Sequence, residues 1–178
     1  GGARSRRSEP TGDLRSKLEI SLSEAVYGTE KHIQVQGRSI RVKVPPGVQD
    51  GNKLNLKGQG SQRQDGKRGA LFLEVKIKPH PSFERQDLDL VTQVSVPIPT
   101  IVLGGKVRIP TLSQDEVNSV ELTIPPGTQP GNQLRVRGQG VVDRTGRCGD
   151  LRIKIQVEIP KKLTQKERKL YEKLGQLL

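Results

Sequence analysis

Apolar and polar residues alternate along much of this chain. Ile40, Val42 and Val44 are separated by Arg41 and Lys43, and Leu151, Ile153, Ile155 and Val157 by Arg152, Lys154 and a Gln, with Glu158 following. Successive side chains of an extended strand point to opposite faces, so each run predicts a strand with one face in a core and one in water. The pattern occurs twice. The segment Pro45-Pro46-Gly47-Val48-Gln49-Asp50-Gly51-Asn52-Lys53-Leu54, running on to Lys57-Gly58-Gln59-Gly60, recurs eighty positions later. There it reads Pro125-Pro126-Gly127-Thr128-Gln129-Pro130-Gly131-Asn132-Gln133-Leu134, continuing to Arg137-Gly138-Gln139-Gly140. The match extends through Gly66 with Gly146, Gly69 with Gly149, and Leu71–Val75 with Leu151–Ile155. Upstream, Ala25–Gly28 answers Ile101–Gly104 at an offset of 76, which leaves about four extra residues in the second copy near Ser113 to Asn118. A duplicated unit of this kind predicts an all-β chain, with two similar small β-sandwich domains in tandem.

The shared motif reads as punctuation between strands. Pro-Pro stops ladder donation and holds the backbone extended, while glycine supplies the positive φ of a turn. Pro130-Gly131 is a type II turn signal, and Asp50-Gly51 holds the same place in the first copy. Neither glycine cluster opens a helix, so a phosphate cradle is the weaker reading. The alternation breaks between Pro79 and Asp87. The expected division is therefore a first domain over 14–86 and a second over 87–160, with residues 1–13 as a disordered linker end. Beyond Pro160, Thr164 and Glu167 have the spacing of a capping box, followed by Leu170, Leu174, Leu177 and Leu178. This predicts a short amphipathic helix over 161–178, too short to be stable alone, whose leucine stripe must dock. The expected partner is the same helix of a second copy.

Composition changes this picture little. Leu, Ile and Val supply 47 of 178 residues against three alanines, which is enough for a core and favours strands. No apolar run reaches the roughly 18 residues that span a bilayer, and the Arg-rich start is followed by no signal-like apolar stretch. The formal charge of +12 is concentrated at the ends: +3 over residues 1–17, +4 over 161–178 and only +5 between. With two Tyr, two Phe and no Trp, little is on offer for base stacking, so the charge reads as solvated surface. Cys148 is the only cysteine, which excludes an intrachain disulfide and a cysteine-based zinc site. The bases for a nucleophilic enzyme are His32, in an alternating stretch, and His80, in the interdomain turn. Cys148 lies between Arg147 and Gly149, while the pairs Asp115-Glu116 and Asp87 with Asp89 lack a third metal ligand. The expectation is a binding protein, not an enzyme, with no metal and no cofactor.

Resemblance sharpens that expectation. Ser21-Leu22-Ser23-Glu24-Ala25-Val26-Tyr27-Gly28, the two Pro-Pro-Gly to Gly-Gln-Gly segments, His80-Pro81-Ser82-Phe83-Glu84-Arg85 with Asp89-Leu90, and Gly149-Asp150-Leu151 stand in one order. Together, over about residues 14–178, they resemble the C-terminal client-binding region of DnaJ-type (J-domain) co-chaperones. The chain runs directly from Val35 through Gly37 to Ile40, without the cysteine repeats that one branch inserts there. It therefore resembles the zinc-free branch, which includes the curved-DNA-binding proteins. Where the family usually has Gly before Asp89, this chain has Gln86-Asp87-Leu88, and Asp tolerates a left-handed backbone. No His-Pro-Asp of the J domain occurs in the 178 residues.

The resemblance implies a cytoplasmic homodimer that holds unfolded or partly folded polypeptides and delivers them to a DnaK-type heat-shock chaperone. It implies a peptide groove in the first domain at Leu18, Ile33, Val35 and Leu73, and dimerisation through Leu170, Leu174, Leu177 and Leu178. The alternatives are DNA binding of the curved-DNA type, and a purely architectural dimer.

Overall fold

A computed structural model describes residues 12–114 and 118–178. In chain order the elements are β1 (Leu14–Ile20), α1 (Leu22–Tyr27), β2 (Thr29–Val35), β3 (Arg38–Val44), β4 (Lys53–Leu56), β5 (Leu71–Ile77) and β6 (Phe83–Gln86). They continue with β7 (Asp89–Pro97), α2 (Ile98–Leu103), β8 (Gly105–Thr111), β9 (Asn118–Ile124), β10 (Gln133–Val136), β11 (Leu151–Glu158) and α3 (Gln165–Gly175). The expected linker end lies almost entirely outside the described residues, as does the middle of the insertion near Ser113 to Asn118, including Asp115 and Glu116.

Each copy of the sequence repeat builds the same two layers. In the first module β1 runs parallel to β5, and β4 pairs antiparallel on β5's other side. The β2-β3 hairpin forms the second layer, turning at Gln36 and Gly37, both at positive φ. That is the geometry a two-residue hairpin turn needs to match strand twist. Inward residues of both layers meet in one core: Leu18 and Ile20 from β1, Ile40, Val42 and Val44 from β3, and Leu71, Leu73 and Val75 from β5. The second module repeats this with β7 parallel to β11, β10 on β11's far side, and the β8-β9 hairpin as the second layer. Gly60 and Gly69, like Gly140 and Gly149, sit where the residue entering the first strand crosses their backbone, and a Cβ at either member would collide with it. The repeated glycines are thus close-approach positions.

Three features depart from the pattern read in the sequence. Strand periodicity concealed α1 and α2, each six residues long. The first has a capping box, Ser21 with Glu24, of the same type as Thr164 with Glu167 in α3. Phe83–Gln86, assigned by the 86/87 division to the first domain, forms β6 and pairs antiparallel with β7, in the second module's sheet. The modules also share apolar surface: Leu22 and Val26 of α1 are buried in the second module's core cluster beside Phe83, Leu112 and Val141.

Candidate functional site

The four residues expected to form a groove fall in one cluster of the first module, in two kinds of position. Leu18 is 4% exposed and Leu73 fully buried, because β1 and β5 pair side by side and turn these side chains toward the β2-β3 hairpin. Ile33 and Val35 are half-buried on β2, packed against the same cluster. Leu18 and Leu73 therefore support a surface from below rather than contact an occupant. Ile33 and Val35 stand at its rim.

What lies beside those side chains is backbone. β2 has one strand partner, β3, and among the described residues its other edge is unpaired; β1 is likewise paired only on its β5 side. The seven residues of β2 contain no proline, so every N–H that alternates away from β3 stays available along that edge. Unpaired strand edges of this kind template an added strand. The edge is held in place at its start, where Lys31 Nζ lies 3.0 Å from Glu24 Oε2 on α1. Burial acts to raise the Glu24 pKa, but the Ser21 backbone amide and Lys31 outweigh it and leave it lowered, so the carboxylate stays charged.

The corresponding edges of the second module are altered. β7's outer edge is covered by β6, and β8 contains Pro110, which removes a donor. Only the first module keeps both edges open among the described residues.

At the other end of the molecule, α3 projects with no buried residue. Leu170 is 61% exposed and Leu174 55%, with Leu177 and Leu178 more exposed still. Between α3 and α2 lies a cleft of about 600 Å³ with walls from Pro97, Val102, Leu103, Leu163, Leu170 and Leu174, among others. Val102 and Leu103 are themselves exposed. Helix, cleft and α2 make one continuous apolar surface, larger than isolated exposed leucines require.

The remaining candidates have structural surroundings. His80 Nδ1 accepts hydrogen bonds from the Ser82 and Phe83 amides, at 3.0 and 3.2 Å, and so caps the entry to β6. His32 is exposed on β2 opposite Arg41, and the Cys148 thiol lies 3.4 Å from the Gly138 carbonyl. Asp89 Oδ1 accepts from the Asp150 amide, while Asp87 adopts the left-handed backbone, at φ 55°, that its place before Asp89 requires. No group of three His, Cys, Asp or Glu residues is placed to hold a metal among the described residues. Nor is any helix among them long and apolar enough to cross a membrane.

Comparison with known proteins adds the family context. A family model described as the DnaJ C terminal domain matches residues 14–160. Chaperone protein DnaJ 2 of Thermus thermophilus is 40% identical over 98% of this chain and 60% of its own length. Chaperone protein DnaJ of Deinococcus proteolyticus is 37% identical over 93% of this chain and 50% of its own length, and that of Chlorobaculum tepidum 41% identical over 76% and 33%. The chain thus spans between a third and three fifths of these relatives. None of their names speaks for the curved-DNA alternative.

Proposed function

This chain belongs to the DnaJ C-terminal domain family, and on that premise we propose that it holds extended segments of non-native polypeptides along the open edge of β2. The observation that carries this reading is the difference between the two modules: an unpaired, proline-free β2 edge with half-buried Ile33 and Val35, against a capped β7 and a proline-bearing β8. A client strand pairing there gains main-chain hydrogen bonds independent of its sequence, and its alternate side chains rest on Ile33 and Val35 above the Leu18-Leu73 floor. Such binding suits a protein that takes many clients. Delivery of the held client to a DnaK-type chaperone in the cytoplasm is part of the same proposal, supported by the likeness to chaperone proteins DnaJ. No catalytic step is needed.

The second half of the reading is a homodimer through α3. Burying Leu170, Leu174, Leu177 and Leu178 is worth about 1.5–3 kcal/mol for each side chain. Over two chains the sum, about 12–24 kcal/mol, is of the size that a micromolar association of about 8 kcal/mol needs on top of an association cost of about 4–15 kcal/mol. Two first-module grooves in one particle would then hold one client with greater avidity than either alone.

The test replaces Ile33 by Asp and follows suppression of aggregation of a denatured client, beside the thermal melt. Client holding should fall at least tenfold with the cooperative melt preserved; undiminished holding overturns the groove. Sedimentation over a concentration series compares the intact chain with one ending at Lys162. The intact chain should dimerise and the shortened one remain monomeric, and a monomeric intact chain or equal dimers refute the helix's role.

A further inference from the structure

We propose that Arg85 clamps the first module onto the second, fixing the direction in which the groove points relative to the C-terminal end. Only the consequence for clients rests on the function proposed above. The Arg85 guanidinium lies half-buried at the seam with all three nitrogens engaged. Nη1 donates to the Val48 carbonyl at 2.6 Å and Nη2 to the Gly47 carbonyl at 3.2 Å, both on the Pro-Pro-Gly turn of the first module. Nε donates to the Asp87 carbonyl at 2.8 Å, in the turn between β6 and β7 of the second. A planar fork of fixed donors reaching carbonyls on both sides is a geometric device, and a lysine, with one point of charge, cannot copy it. Burial lowers this guanidinium's pKa, with Asp87 opposing that effect.

Independent contacts run along the same seam. A Cβ built on Gly47 would lie 2.6 Å from the Val142 carbonyl, so the two backbones touch. The Tyr27 hydroxyl donates to the Leu112 carbonyl, Gln114 Nε2 reaches the Gly28 carbonyl at 3.4 Å, and Leu22 and Val26 are buried against the second module. Beside Arg85 the packing stops. A cleft of about 620 Å³ opens there, bounded by Leu22, Gln49, Asp50, Lys78, His80 and Glu84, with Arg85 on its wall. The seam is therefore packed through α1 and open at the cleft, with the arginine holding that side. Without it, rocking of the modules into the cleft meets little resistance.

The test uses Cys148, exposed on the second module, as one spin-label site and Lys53→Cys on the first module as the other, in the full chain diluted with unlabelled protein. The parent chain should give a single narrow distance distribution. Arg85→Met, which keeps bulk and removes the donors, should at least double its width, and Arg85→Lys should broaden it nearly as much because restoring charge does not restore the fork. Tyr27→Phe should broaden it less. Hydrogen exchange in β5 and β11 reports whether each module remains folded. If Arg85→Met loses its cooperative melt, the Lys variant decides in its place. An unchanged width in a folded Arg85 variant, or full rescue by Lys, overturns the clamp. For clients, a short extended peptide should bind Arg85→Met within twofold of the parent, while holding of a long denatured chain drops several-fold. Absence of peptide binding in the parent would count against the β2 groove and leave the distance result to judge the clamp.

Discussion

Gly47 and Gly127 hold the same place in two copies of one motif, both at positive φ, yet a methyl group added to Gly47 would press on the Val142 carbonyl while Gly127 faces open space. The same contrast runs through their surroundings. In α1, Leu22, Ala25 and Val26 are buried; in α2, only Ile101 is, and Val102 and Leu103 are bare. The first module's helix and turn are covered by the module that follows, whereas the second module's have only the cleft beneath α3. At the opposite side the order is reversed: β6 closes β7 and Pro110 interrupts β8, while among the described residues nothing closes β1 or the proline-free outer edge of β2. A tandem repeat thus leaves one unmatched surface at each end: an open strand edge on the first module and an apolar helix face on the second. Those are the two places where binding is proposed.

The largest expected effect that separates the modules comes from Leu73→Asp. An unpaired carboxylate at a fully buried position costs several kcal/mol, comparable to a small domain's whole stability. Hydrogen exchange should show β3 and β5 unprotected while β11 stays protected, because the first module gives the second core cluster only Leu22 and Val26 among its buried residues, with Ile77 partly buried against it. Loss of β11 protection to the same extent would mean that the two modules fold as one unit. Gly47→Ala against Gly127→Ala is the next contrast. Either variant places a side chain at positive φ, at about 1–2 kcal/mol, and Gly47→Ala adds about 1–3 kcal/mol of overpacking against Val142. Denaturant midpoints measure the difference, and equal losses would show that the seam yields freely.

The smallest contrast appears only in acid. Asp143 accepts hydrogen bonds from Thr145 and Arg147, and these, led by the Thr145 hydroxyl, together outweigh the opposing desolvation and lower its pKa to about 2. A depressed folded pKa contributes stability that is complete above the unfolded value near 4 and disappears as pH falls through about 2. Arg63 stands at the matching place in the first copy, with no carboxyl to protonate. Amide shifts of Gly146 and Arg147 should therefore titrate near pH 2 in the parent and not in Asp143→Asn, and a midpoint near 4 would remove the loop's special character.

The duplication was legible because turns carry their own chemistry. Pro-Pro-Gly, Pro130-Gly131 and the Gly-Gln-Gly runs need particular backbones, and those needs leave residues fixed in the sequence. The capping box of α3 was legible for the same reason, and Ser21 with Glu24 offered the equal signal for α1. α2 has no capping box: Pro97 is its N-cap residue and makes no side-chain cap, which leaves Pro99 in the first turn as its start signal. The site was only half legible. Alternation assigns Leu18, Ile33, Val35 and Leu73 to an inward face, but period two does not distinguish a central strand from an edge. Leu73 is sealed because β5 has neighbours on both sides, and Ile33 is reachable because β2 has one. Arg85 stands in one of the motifs that carry the resemblance, but its place at the seam was not legible because its acceptors, Gly47 and Val48, are distant in sequence and are backbone atoms.

Each module closes by a parallel pairing of strands that are far apart along the chain, Leu14 with Leu71 and Leu90 with Leu151. Contacts of such long range are slow to form. During synthesis the first module can close once Ile77 has emerged, but Leu22 and Val26 wait for Val141, which is made much later. For that interval a nascent copy displays a bare apolar helix face on an otherwise finished unit. Its own birth passes through a state of the kind that finished copies are proposed to hold.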